Sequence, residues 1–80
     1  MRSKKMGKFV ISGALIENNP DDVMRLMGRM IVVRAEFIYG PNVVEYTAIS
    51  DYFEEVEEGL VLPEYQFAFS GNDILPEKIN

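Results

Sequence analysis

The sequence predicts a small α+β fold of about four mostly antiparallel strands with one helix packed on the sheet, in the order β-α-β-β-(short α or loop)-β. Three observations predict it. Apolar and polar residues alternate with period two in separate stretches, around residues 8–16, 30–49 and 65–69. A single strong helix-start signal, Asn18-Asn19-Pro20-Asp21-Asp22, falls between the first two. The chain has 80 residues, of which 48% are hydrophobic, enough for one core but too few for a second domain. The expected organisation is a flexible basic tail over residues 1–7, an α+β domain over 8–70 and a loosely ordered tail over 71–80.

Lys8 to Ile16 reads as the first strand. Phe9, Ile11 and Leu15 fall on one side and Val10, Ala14 and Ile16 on the other, so the pattern predicts a central or covered strand. Gly13 marks a bulge or a close approach by another backbone. Asn19 can then cap a helix, Pro20 suits its first position, and Asp21 and Asp22 complement the positive end of its dipole. Val23, Leu26, Met27 and Met30 share one face at helical spacing, and Gly28 is positioned to end the helix.

Met30 to Tyr39 predicts a strand with Ile31, Val33, Ala35, Phe37 and Tyr39 on one face and Val32, Arg34, Glu36 and Ile38 on the other. Gly40-Pro41-Asn42 is a turn signal, and Val43 to Ile49 returns as the partner strand. Residues 50–59 read as a short acidic helix, capped by Ser50 and stopped by Gly59, or as an acidic loop. Pro63 interrupts the chain, and Tyr65, Phe67 and Phe69 alternate along a last strand. The helix joins two strands that are either direct neighbours or separated by an inserted strand, as in split β-α-β arrangements.

Charge is distributed unevenly. The formal net charge is −5, yet Arg2, Lys4, Lys5 and Lys8 supply half the basic residues before the first strand is under way. From Phe9 onward there are four basic and thirteen acidic residues, a net of −9. No Lys or Arg occurs from Glu36 to Glu77, a span holding ten acidic residues. A field of one sign repels nucleic acid and favours a basic partner. The acids picked out for partner binding are Asp51, Glu54, Glu55, Glu57, Glu58 and Glu64.

The residue inventory argues against catalysis. Without histidine or cysteine the chain lacks the usual neutral-pH base, the thiol nucleophile and the soft metal ligands. The Glu54–Glu58 cluster does not follow the order of an EF-hand loop. The expectation is a protein that is not an enzyme and has no cofactor or metal. Tyr39, Tyr46, Tyr65, Phe67 and Phe69 read as core or cross-strand pairs, because a stacking platform for nucleic acid needs basic neighbours. No apolar run reaches the roughly 18–20 residues that cross a bilayer, so membrane insertion is not expected, and the one-sided acidic field argues against direct nucleic-acid binding. The cytoplasm is the expected location.

Arg34-Ala35-Glu36, Val44-Glu45-Tyr46-Thr47-Ala48-Ile49-Ser50, Phe53-Glu54-Glu55-Val56, Gly59 and Pro63-Glu64-Tyr65 together resemble small acidic accessory proteins of tailed bacteriophages. That resemblance covers about half the chain and implies a context, the cytoplasm of a host cell, without carrying any site residue. Proteins of this kind often bind host enzymes, some of them as nucleic-acid mimics. The functional expectation is therefore an acidic protein-binding module, an inhibitor or modulator of a host protein with a basic, nucleic-acid-binding type of surface. The alternative is a self-associating structural or assembly protein, a homo-oligomer joined through an edge strand such as the one carrying Tyr65 to Phe69.

Overall fold

Gly7, Phe9 and Ile11 alternate with Lys8 and Val10, a pattern that gives one apolar face to a strand extending back into the basic N-terminus. In the computed structural model, which describes residues 3–57, 59–71 and 73–79, that strand is β1 (Ser3–Ser12). It is followed by α1 (Gly13–Asn18), α2 (Pro20–Met27), β2 (Met30–Ile38), β3 (Val43–Ser50), β4 (Glu55–Glu57), β5 (Glu64–Ser70) and β6 (Asp73–Lys78). The sheet order is β2-β3-β1-β5-β6, with β4 also paired to β1. All pairings are antiparallel except β1 with β5, so the sheet is mixed.

The fold class is α+β, with six strands and two short helices among the described residues rather than about four strands and one helix. The extra strands come from segments read as tails or loop. Ser3–Lys5 pair with Glu55–Glu57, so most of the N-terminal basic segment is sheet and not a flexible tail. Asp73–Lys78 pair along the length of β5, so most of the C-terminal segment is a strand as well, and the strand carrying Tyr65 to Phe69 lies between β1 and β6 and is not the edge strand expected for self-association. Both gains have the same physical cause: a neighbouring strand supplies partners for backbone groups that local sequence leaves open.

β1 and β2 are both antiparallel to β3, which lies between them. This is the split β-α-β arrangement. The first strand ends at Ser12, earlier than its alternation suggests, because Ser12 caps α1 by accepting a hydrogen bond from the Leu15 N–H at 3.1 Å. Gly13 marks a close approach as expected. Its N–H donates to the Asn42 carbonyl at 2.8 Å, and a Cβ there would meet the Asn42 side chain at 2.6 Å. In α2, Pro20 sits in the first turn with Asp21 and Asp22, and Leu26 is fully buried. Val23, Met27 and Met30 pack around that core, whereas Met24 points outward. Asn19 occupies the cap position but makes no side-chain capping bond.

The core consists of Phe9, Ile11, Leu26, Ala48, Phe53 and Tyr65. Phe9 organises an aromatic cluster, stacking on Tyr46 at 5.2 Å and meeting Phe67 edge-on at 5.1 Å. Tyr46, Tyr65, Phe67 and Phe69 thus serve the core, but Tyr39 does not. It is exposed in the turn and packs on the neighbouring Phe37 ring, at 4.6 Å. The sheet is covered on one face only. β1 is central in the sheet, as one of the two readings of its pattern expects, but it is not covered on both sides: Phe9 and Ile11 are buried while Val10 between them is 47% exposed.

β2 corrects the simple alternation as well. Its register against β3 shifts between Val32 and Arg34, leaving Val33 as a bulge residue. Val32 lies opposite Ala48 and Ala35 opposite Tyr46, so the core-side set changes parity across the bulge. Ile31 and Val33, expected to share a face with Ala35 and Phe37, are instead 69% and 55% exposed.

Candidate acidic binding surface

The segment after β3 folds around its buried side chains. Ser50, buried at the strand end, donates its hydroxyl to the Arg29 carbonyl at 2.9 Å and accepts the Tyr52 N–H at 3.2 Å. Phe53 turns into the core and packs on Tyr65 with ring centroids 4.7 Å apart. The Tyr65 hydroxyl accepts a hydrogen bond from the Glu54 N–H at 2.9 Å. These contacts bend the chain at residues 51–54 and deliver Glu55–Glu57 to β1 as β4. The acidic segment is therefore a turn followed by a strand, neither the helix nor the simple loop expected from sequence. A helix capped by Ser50 would use the Glu54 amide for its first bond, to the Ser50 carbonyl, but the Tyr65 hydroxyl takes that amide and the Ser50 carbonyl accepts the Phe53 N–H instead.

The basic-free stretch of the sequence is not basic-free in space. β1 returns two lysines to it. Lys5 lies 3.8 Å from Asp51 and Lys8 lies 3.9 Å from Glu64. Lys78 at the end of β6 donates to Glu54 at 2.9 Å. The Glu54 carboxylate, by that hydrogen bond and its charge, holds the Lys78 ammonium above the ordinary lysine value of 10.5. These pairs are exposed or partly exposed, so each contributes little to stability, but together they dilute the anionic field.

Three of the six selected acids converge. Glu54, Glu55 and Glu57 line an open groove of about 420 Å³ together with Leu60, Val61 and Lys78. Leu60 and Val61 are 61% and 90% exposed. Glu55 and Glu57 make no ion pair among the described residues. Asp51 and Glu64 lie off the groove, against Lys5 and Lys8, and Glu58 is outside the described residues. The sequence reading missed Leu60 and Val61. The signal was present in the apolar Leu60-Val61-Leu62 run directly after the acids.

A second acidic grouping lies on the open face of the sheet, where Glu36 sits directly opposite Glu45 across β2 and β3. Arg34 lies 3.3 Å from Glu36 and moderates that contact. Among the described residues no group of three or more acidic side chains is arranged to hold a metal ion. Nor is any helix among them long and apolar enough to cross a membrane. The chain matches no protein-family model, no curated protein and no solved structure.

Proposed function

We propose that this protein is an acidic binding module that inhibits or modulates a host protein by docking the β4 groove against a basic surface. The observation that carries the reading is the groove itself, where the carboxylates of Glu55 and Glu57, without ion pairs among the described residues, flank the exposed Leu60 and Val61. Carboxylates without cation partners steer a basic surface in, and adjacent apolar side chains supply contact area that charge alone does not. The favoured partner surface is one carrying Lys or Arg beside an apolar patch, as on proteins that grip nucleic acid. The pairing of Asp51, Glu54 and Glu64 with lysines moves the reading away from a broad polyanionic mimic and toward this more local contact.

The test begins with retrieval of the partner from host extract and its purification, followed by direct binding measurements. The double variant Glu55→Gln, Glu57→Gln, neutral because Glu55 faces Lys5 across β1 and β4, should weaken binding at least about tenfold while leaving the circular-dichroism spectrum and melting curve unchanged. Affinity for the unaltered protein should fall as salt rises. Affinity indifferent to both the substitutions and the salt would remove the charge-led mechanism.

A further inference from the structure

Among the described residues β2 and β6 end the main strand order, the three-residue β4 being paired to β1 alone, and these two ends differ in how they meet solvent. β6 carries Pro76, which has no N–H to offer another strand, together with Asp73 and Glu77. β2 carries no proline, and its segment presents Ile31, Val33, Phe37 and the adjacent Tyr39 to solvent. A long apolar strand with an open backbone edge is a template for another strand. The two charges on β2 select which strand that is.

We infer that β2 pairs with β2 of a second copy of this chain, antiparallel, about a two-fold axis at Ala35. In that register Arg34 of each copy lies opposite Glu36 of the other, so the interface contains the same complementary pair twice. Both residues lie on one face of the sheet, as their 3.3 Å contact within the chain shows. The adjacent symmetric registers, centred on residue 34 or 36, would set Arg34 against Arg34 or Glu36 against Glu36. Moving by a single residue is also excluded, because it would place core-side and open-side residues opposite each other. The bulge at Val33 ends the regular edge and confines the pairing to a short ladder. With Pro76 on the opposite edge, the association closes as a dimer and does not extend into a fibre. The acidic groove reaches Lys78 on β6, so it lies toward the other side of the sheet and remains accessible in the dimer.

Sedimentation of the full chain over a concentration series reads this directly. The unaltered protein should form a dimer as concentration rises. Arg34→Glu alone, or Glu36→Arg alone, sets like charges opposite each other twice and should weaken the dimer about tenfold or more. Circular dichroism of each variant checks that the monomer fold is retained. An equimolar mixture of the two variants should recover association. One copy then carries acid at both positions and the other arginine at both, so opposite charges face each other twice in the heterodimer. A chain that stays monomeric throughout overturns the inference. So do single variants that dimerise as tightly as the unaltered protein, or a mixture that associates no better than its components.

Discussion

The β2–β3 hairpin and the Asp51–Glu57 segment hold together in opposite ways. The hairpin pairs residues close in sequence along its whole length, from Met30 with Ser50 to Ile38 with Val43, yet the interior of β2 is exposed. The acidic segment pairs only three residues with β1, but it is fastened by the buried Phe53 ring and by the Tyr65 hydroxyl on the Glu54 amide. Backbone regularity and core burial are thus separate sources of order. Within the hairpin, β2 relies on the first and leaves most of its side chains free for another surface, while β3 beside it contributes Ala48 to the core. The acidic segment relies on the second, so that its carboxylates are displayed on a short but well-anchored support.

The largest expected contrast is between phenylalanines on the two sides. Phe9→Ala removes the ring at the centre of the aromatic cluster and should cost about 3–5 kcal/mol in urea unfolding. Phe37→Ala, measured in dilute solution, should cost about 1 kcal/mol or less, because that residue on β2 is nearly half exposed and lies outside the core cluster. Equal losses would mean that the hairpin contributes to the core more than its exposure indicates.

Glycine replacements give the next contrast. A Cβ on Gly7 would meet the Tyr65 ring at 2.8 Å and the Phe53 ring at 3.2 Å, both buried groups with little room to move. Gly7→Ala should therefore destabilise by about 1–3 kcal/mol through overpacking. Gly13→Ala meets the side chain of the exposed Asn42, which can swing away, so its effect on the thermal midpoint should be clearly smaller.

The smallest effect tests the anchor of the acidic segment. Tyr65→Phe keeps the ring in the core but leaves the Glu54 N–H without its acceptor. A loss of about 1 kcal/mol is expected, with faster hydrogen exchange at the Glu54 amide and little change in the β2–β3 amides. Uniformly faster exchange in both regions would show that they open together.

Residues 30–49 were legible as a hairpin because both partners and the Gly40-Pro41-Asn42 turn lie within a short stretch of chain. The helix start was legible for a similar reason, since Pro20, Asp21 and Asp22 act on the first turn they occupy. The bulge at Val33 was not, because it is defined by the register of β2 against β3. The grouping of Glu54, Glu55 and Glu57 was partly legible as a run of acids. That Asp51 and Glu64 sit against lysines was not, as those contacts join residues far apart in the chain.

By itself the sequence determined an α+β fold, the start of α2, the hairpin turn and an excess of acid after Phe9, all of them properties of neighbouring residues or of composition. Tertiary structure alone decided that Ser3–Gly7 belong to the sheet, that the acidic run becomes a turn and a strand, and where its charge remains unopposed. The reason is that β1 collects partners from β3, β4 and β5, and strand pairing over such separations brings Lys5 and Lys8 to acids about 46–56 residues away. Net charge along a chain is additive, but the field at a surface depends on which residues the fold brings together.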